Sequence, residues 1–260
     1  MSNTVDLAAL FSLQGKTAIV TGAAKTSGLC YGMAAALRGA GAKVVLMDLS
    51  LEVHTLAKTL GGSENNYYAV QADITQKPSR EEAVSKSLEL LGGRLDILLN
   101  GAGVQFRCDA LEFPEDKFKS IIDINLSSMF FMCQEAAKIM IGQGSGKIIN
   151  IASMTSFVAS RRIAAYSASK GGVMQLTKAL SNEWAGRGIN VNAIAPGYME
   201  TELTADMINT EQGKAHTARI PMGRWGKPED LEGVTVFLAS AASDYISGAI
   251  IPVDGGYLGA

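Results

Sequence analysis

Residues 16–28 read KTAIVTGAAKTSG. The apolar run is short enough for a strand buried on both faces, and a glycine-containing turn follows it directly. Residues 31–39, YGMAAALRG, then carry small side chains at helical spacing, with Ala40 and Gly41 closing the helix. Strand, glycine loop and helix in this order form a nucleotide-binding unit: glycine lets the backbone approach a diphosphate, and the helix N-terminus favours its negative charge. Asp48 ends the next apolar run, KVVLMD at 43–48, twenty residues after Gly28. An acid at that place accepts from a ribose 2′-hydroxyl and repels a 2′-phosphate, and Leu49 follows where a base would help one. NAD is therefore expected over NADP. Two readings stay open beside this: Lys25 in the loop could meet a 2′-phosphate, and Asp48 could be an ordinary strand-end cap.

Outward from this unit the same alternation repeats. Strands are expected at 67–72, 95–100, 147–151, 189–194 and 250–253. Helices are expected at 51–60, 79–91, 118–140, 165–184 and 228–239. Continuous apolar strands require burial on both faces, so the expected fold is α/β: a single Rossmann-type domain over 1–260, with a doubly wound parallel sheet of about seven strands and helices on both faces. A (β/α)₈ barrel competes, and the nucleotide-binding first unit argues against it. Residues 199–219 are polar and weakly periodic, and read as a small substrate loop or lid.

Composition excludes several function classes. Hydrophobic residues make up 47% and charged residues 18%, the profile of a packed enzyme. With net charge −2 and scattered Lys and Arg, neither nucleic acid nor an anionic membrane is the expected partner. Cys30, Cys108 and Cys133 match no zinc or disulfide spacing, and the only two histidines, His54 and His216, lie far apart, so no metal is expected. The first thirteen residues carry Asp6 and lack a signal-peptide pattern, and no apolar run reaches the roughly 18 residues of a membrane span, so a cytoplasmic protein is expected.

The chemistry sits in YSASK, residues 166–170. Tyr166 and Lys170 stand at i and i+4 on one helical face. A phenol is a poor base at neutral pH, and a nearby ammonium is expected to lower its pKa. Tyr166 can then take a hydroxyl proton as hydride leaves the carbon. Ser153 follows the strand KIINI, at a C-terminal strand edge, where its hydroxyl can hold the reacting oxygen. Taken singly, a Tyr/Lys pair reads as a solvated helix face and the serine as a cap; the dinucleotide loop beside them changes that weighting.

These residues resemble a family, the short-chain dehydrogenases/reductases. The resemblance runs from about residue 11 to the C-terminus and rests on TGAAKTSG, Asp73 of QADIT, NGAG at 100–103, DINLSS, NIASM, YSASK, PGYMET at 196–201 and VDGGYL. It implies a catalytic set of Asn125, Ser153, Tyr166 and Lys170, with Lys170 also bonding the nicotinamide ribose. It implies cofactor contacts from Gly22, Ser27, Gly28, Leu29, Asp48, Asp73, Ile74, Asn100, Ala102, Tyr166 and Lys170. Pro196, Gly197, Met199 and Thr201 would close over the nicotinamide and diphosphate. It also implies a homo-oligomer, with a tetramer as the family's common form. Two departures stand out. Five residues rather than three separate Gly22 from Gly28, with Cys30 where a third glycine is expected, and NGAG replaces the commoner NNAG.

The second half is similar to a narrower group, the sugar-acid dehydrogenases acting on gluconate and 2-dehydro-3-deoxy-D-gluconate. The matching pieces are GVQFRCDALEF, FFMCQEAAK, GKIINIASMTSF, NEWAGRGINVNAIAPGYMET and RIPMGRWGKPEDL. A carboxylate substrate needs a cationic fork, for which Arg107 and Arg162 are the candidates, with Met154 and Tyr198 as pocket wall. The expected function is reversible NAD-dependent hydride transfer to or from a secondary alcohol or ketone of a sugar acid or polyol. The alternatives are an NADP-dependent carbonyl or 3-oxoacyl reductase and, in another class, a non-catalytic dinucleotide sensor.

Overall fold

The structure, a computed structural model, describes residues 5–201 and 204–260. A short helix α1 (Leu7–Phe11) leads into β1 (Thr17–Thr21), α2 (Leu29–Gly39), β2 (Lys43–Asp48), α3 (Glu52–Thr59), β3 (Tyr67–Gln71), α4 (Lys77–Leu91) and β4 (Ile97–Asn100). The second half runs α5 (Glu115–Ile122), α6 (Ser128–Gln143), β5 (Gly146–Ile151), α7 (Ala164–Trp184) and β6 (Ile189–Pro196). After it come α8 (Ala205–Ile208), α9 (Glu211–Thr217), α10 (Glu232–Ala239) and β7 (Ile250–Val253). The strands form one seven-stranded sheet in the order β3-β2-β1-β4-β5-β6-β7, every pair parallel. The doubly wound α/β sheet read from the sequence is the one observed.

Alternation along the strands sorts the core into two layers. Ala18, Val20, Val44 and Leu46 face α2, α3 and α10, packing on Met33, Leu37, Leu56 and Leu238. Ile19, Val45, Met47 and Leu98 face α4, α6 and α7, packing on Val84, Met132, Val173 and Leu180. Each Val, Leu, Ile or Met among them contributes about 1.5–3 kcal/mol when fully buried. The strand order reverses between β1 and β4, and ligands bind beyond the carboxyl ends of strands at such a switch point.

One expected helix is really three elements. Where a single helix over 118–140 was expected, a π-helical turn at Asp123–Ser127 separates α5 from α6. The widened turn inserts an extra residue and re-aims the side chains on it, a device common at functional sites. Asn125, buried, is at its centre. The lid expected at 199–219 includes 202 and 203, which lie outside the described residues; around them the chain forms α8 and α9. Among the described residues, no helix is long and apolar enough to cross a membrane.

Candidate active site

The dinucleotide half is built on backbone. Gly22 has φ +74, and a Cβ there would lie 2.7 Å from the backbone of Ala102, so only glycine lets the two loops approach. Gly28 caps α2 with extended backbone and no side-chain bond to the helix N–H groups, and Leu29 and Cys30 open the helix. An eleven-residue helix whose first donors lack a side-chain cap, reached by a glycine turn, fits a diphosphate. The five residues between Gly22 and Gly28 divide by character: Ala23 and Ala24 are buried in the core, while Lys25 and Thr26 are exposed and Ser27 is half-buried. The loop is pinned by Asp48, whose Oδ2 accepts from Ala24 N at 3.0 Å and whose Oδ1 accepts from Ser50 N at 2.9 Å. Cap and ribose acid are thus compatible readings, since each carboxylate oxygen keeps a second lone pair.

The two departures from the family pattern explain one another. A Cβ on Gly101 would lie 2.2 Å from Cys30 Sγ and 3.0 Å from Thr21 O. The thiol at 30 fills the volume that a side chain at 101 needs. Burial pushes the Cys30 thiol up to about 12, so it is a neutral space-filler here. Thr21 Oγ1 accepts from both Gly101 N and Ala102 N, at 3.1 and 3.2 Å, fastening the end of β4 to β1.

Other expected cofactor residues lie along the same edge. Asp73 closes an Asx turn, its Oδ1 accepting from Thr75 N at 3.0 Å, and the Ile74 carbonyl accepts from the buried Arg80 at 2.8 Å. Pro196 ends β6, Gly197 packs within 2.7 Å of Asp254 Cα as a Cβ would measure it, and Met199 bridges to Gly226. Thr201 N donates to Thr204 Oγ1 at 2.9 Å. Asn100 ends β4 at this edge. Its amide is buried and donates to Asn150 Oδ1 at 2.9 Å and Cys133 Sγ at 3.1 Å, so the side chain faces the core and only its backbone is left for a ribose.

The four expected catalytic residues converge from three elements. Asn125 is clamped by Val104, accepting from its N–H at 2.8 Å and donating to its carbonyl at 2.9 Å, and also donates to Ser169 Oγ at 3.1 Å. Ser153 Oγ accepts from Thr155 N at 3.1 Å and Thr155 Oγ1 at 2.9 Å, and the Ser153 side chain is near enough to the Tyr166 phenol to pull its pKa down against burial. Lys170 Nζ donates to Ile151 O at 2.6 Å and lies 5.7 Å from the Tyr166 ring centre. A Cβ on Gly103 would sit 3.3 Å from Asn125 Oδ1 and 3.8 Å from Lys170 Nζ, which puts these two ends at one glycine.

The electrostatics differ from the sequence expectation. Burial raises the Tyr166 phenol, Ser153 opposing this, and burial lowers Lys170 to about 8. Lys170 does not hold Tyr166 down, because desolvation acts on both groups and the ammonium is bonded to a carbonyl.

Beside Ser153 opens a cavity of about 440 Å³ lined by Met154, Arg107, Arg162 and Tyr198, the four residues named for the substrate, and by Thr155, Arg161, His216, Arg219 and Tyr257, which sequence reasoning missed. Arg162 holds left-handed backbone (φ +67), and its carbonyl accepts from Cys108 N at 2.9 Å, locking the Arg107 loop against the start of α7. The signal for Arg219 was present in RIPMGRWGKPEDL, but nothing in the motif said that the turn after α9 folds back over the strand ends. No cluster of His, Cys, Asp or Glu suited to a metal occurs among the described residues.

A family model described as enoyl-(acyl carrier protein) reductase, of the short-chain dehydrogenase type, matches residues 22–258. The chain belongs to the short-chain dehydrogenase/reductase family. It is therefore a pyridine-nucleotide oxidoreductase of the kind acting on CH–OH groups. It is 46% identical to the 2-dehydro-3-deoxy-D-gluconate 5-dehydrogenase of Escherichia coli K12, over 95% of this chain and 97% of that one. It is 40% identical to the D-threitol dehydrogenase of Mycolicibacterium smegmatis, over 95% and 94% of the two chains. The structure of a gluconate 5-dehydrogenase from Burkholderia cenocepacia, in complex with NADP and tartrate, superposes with a TM-score of 0.91 at 36% identity, covering 97% of this chain and 99% of that one.

Proposed function

We propose that this short-chain dehydrogenase/reductase interconverts a secondary hydroxyl and a ketone on a sugar acid. The observation that carries the reading is the cavity next to Ser153, where four arginines and not one acid stand among the described lining residues. A carboxylate-bearing substrate needs such cationic forks, and a neutral polyol does not. The relatives named for gluconate and dehydrodeoxygluconate support the same substrate class, and the relative named for threitol supports a neutral rival.

In this reading Ser153 holds the reacting oxygen and Tyr166 takes its proton in oxidation or returns it in reduction. A phenol raised by burial is protonated at neutral pH, which suits it to donate to a ketone. Lys170 bonds the nicotinamide ribose, and Asn125 braces the Val104 loop against α7. Bound across the strand ends, the nicotinamide supplies the hydride acceptor or donor. Gly22, Ser27, Gly28 and Leu29 hold the diphosphate, Asp73, Ile74, Asn100 and Ala102 the adenosine side, and Pro196, Gly197, Met199 and Thr201 the nicotinamide side. Arg107 and Arg162 meet the substrate carboxylate, with Met154 and Tyr198 as wall, and 199–219 covers them.

Asp48 favours NAD, while the NADP in the Burkholderia structure supports the alternative of an NADP-dependent reductase. A homotetramer in the cytoplasm completes the proposal; the three free cysteines fit a reducing compartment. The test is a panel of aldonic acids, polyols and simple ketones followed by NADH and NADPH absorbance. Sugar acids are expected to give the highest kcat/KM. Tyr166→Phe is expected to lower turnover at least about 100-fold while cofactor still binds; near-full turnover would sink the catalytic assignment and favour a dinucleotide sensor.

A further inference from the structure

The cavity is not uniform. Arg107 and Arg162 come from loops flanking the catalytic residues, but Arg219 comes from a different part of the chain, the turn behind α9. In the ion pairs among the described residues the only arginines are Arg94 and Arg224, so no described acid neutralises the cavity arginines. In a chain of net charge −2, this concentrates a positive field at one place, and such a field selects anions.

Arg219 is also oriented. Its guanidinium carbon lies 4.6 Å from the centre of the Tyr257 ring. Tyr257 is buried and meets Tyr198 edge-on at 5.6 Å. Tyr198 stacks on His216 at 4.5 Å, bonds its Nδ1 at 3.0 Å, and is backed by Trp225 at 5.1 Å. Trp225 is buried and donates from Nε1 to Thr217 Oγ1 at 2.9 Å. An exposed arginine ordinarily samples many rotamers, but stacking on a buried ring that is itself packed on Tyr198 removes much of that freedom before a ligand arrives. His216 is held below its ordinary pKa by burial, then by Arg107 and Arg219, so the imidazole at this end is neutral at pH 7 and both guanidinium groups act on it.

We propose that Arg219, oriented by Tyr257 and acting with Arg107 over the Tyr198–His216 pair, is a specificity-determining residue that binds the substrate carboxylate at the α9 end of the cavity. The inference rests on the sugar-acid reading above and assigns the part of the site that reads the acid. The reacting carbon lies at Ser153 and Tyr166 and the charged end is gripped by the lid side of the pocket. Acid is thereby distinguished from polyol at a point remote from the proton transfer.

The test compares D-gluconate with its uncharged analogue D-gluconamide in the full-length enzyme and in Arg219→Met, Arg219→Lys and Arg107→Met. Arg219→Met is expected to lower kcat/KM for gluconate by about 10- to 100-fold, chiefly through KM, and for gluconamide by less than about threefold. Arg219→Lys, which keeps the charge and loses the fork, falls between wild type and Met. Equal losses for acid and amide, or no loss, would overturn the inference. Fluorescence titration with NADH and NADPH checks that the variants hold cofactor; if Arg219→Met does not, the acid-to-amide ratio of Arg219→Lys decides. A wild type that uses gluconamide as well as gluconate sinks the sugar-acid reading itself. A wild type that prefers the acid, with Arg219→Met changing both substrates alike, sinks only the role of Arg219.

Discussion

Gly101→Ala is the sharpest probe of how the altered glycine loop was accommodated. At a position with ordinary backbone dihedrals, replacing Gly by Ala stabilises by about 0.4–1 kcal/mol, because the unfolded chain loses freedom. Here the added methyl would stand 2.2 Å from Cys30 Sγ, a side chain that is buried and fixed in the first turn of α2. Overpacking of this kind costs about 1–3 kcal/mol. For a chain of this size that corresponds to a fall in Tm of roughly 2–10 °C. Cys30→Gly alone removes a buried thiol and adds a helix glycine, a loss of about 1–2 kcal/mol. In the double variant the methyl enters the space the thiol left, and only the Thr21 carbonyl at 3.0 Å still crowds it. The two substitutions should therefore couple by at least about 1 kcal/mol, the double variant being more stable than the sum of the single losses. Thermal and urea unfolding of the four proteins measures this, and NADPH titration reports whether the loop still binds. Additivity within about 0.5 kcal/mol would refute the complementarity and leave the Thr21 backbone as the real obstacle.

Three further outcomes follow from the buried groups. Lys170 has its pKa lowered to about 8 by burial, below the unfolded value near 10.4, so between these values the unfolded chain binds more protons and stability gained from this residue rises with pH. The stability advantage of Lys170→Met at pH 7 should shrink by on the order of 1 kcal/mol per pH unit from about pH 8 to 10; a constant difference would contradict the assignment. Burial pushes Cys30 and Cys133 up to about 12 while Cys108 is only half-buried, so a disulfide reagent at pH 8 should titrate one thiol in the native protein and all three after unfolding. Asp48→Ala should lower the NADH-to-NADPH ratio of kcat/KM at least about tenfold and lower Tm by releasing Ala24 and Ser50, and an unchanged ratio would leave Asp48 as a loop pin only.

Local periodicity made the sheet legible. KVVLMD at 43–48 and IIPV at 250–253 are strands with the ends expected: the first is apolar at its centre because both faces are buried there, and the second is a partly buried edge strand that β-branched residues and a proline suit. The π-turn at 123–127 was not legible, since the apolar spacing of DINLSS suits a continuous helix and the extra residue shows only when Asn125 is seen clamped by Val104. The catalytic residues carry short-range signatures such as YSASK. Arg219 opens the motif RIPMGRWGKPEDL, but the motif does not give its place in the cavity, which depends on α8 and α9 turning back over strands more than twenty residues away in sequence. The reciprocal fit of Cys30 and Gly101 escaped for the same reason: each looked like a separate departure, and only the approach of the β1 and β4 loops makes them one.

A buried polar chain gives the reason why Tyr166 meets Ser153 at all. Asn100 on β4 donates to Asn150 on β5, Asn150 donates to Thr177 on α7 at 3.0 Å, and Thr177 donates to Val173 O at 2.8 Å. Cys133 on α6 joins through Asn150 Oδ1 at 3.4 Å. All four side chains are buried in a layer otherwise filled by Ile, Leu, Met, Val and Ala. Apolar packing alone tolerates a helix shifted along its ridges, since methyl groups interdigitate at more than one offset. A hydrogen bond does not: sliding α7 by one residue along β5 moves Thr177 about 1.5 Å and leaves buried amide groups unpaired, at roughly 1–3 kcal/mol each. Thr177 lies eleven residues beyond Tyr166 on the same helix, and Asn150 lies three residues before Ser153. Fixing the Asn150–Thr177 pair therefore fixes the offset between the serine and the tyrosine. Asn100 commits its side chain to the core, where its Oδ1 is buried without a hydrogen-bond partner, and keeps only its backbone at the cofactor edge, to hold that register.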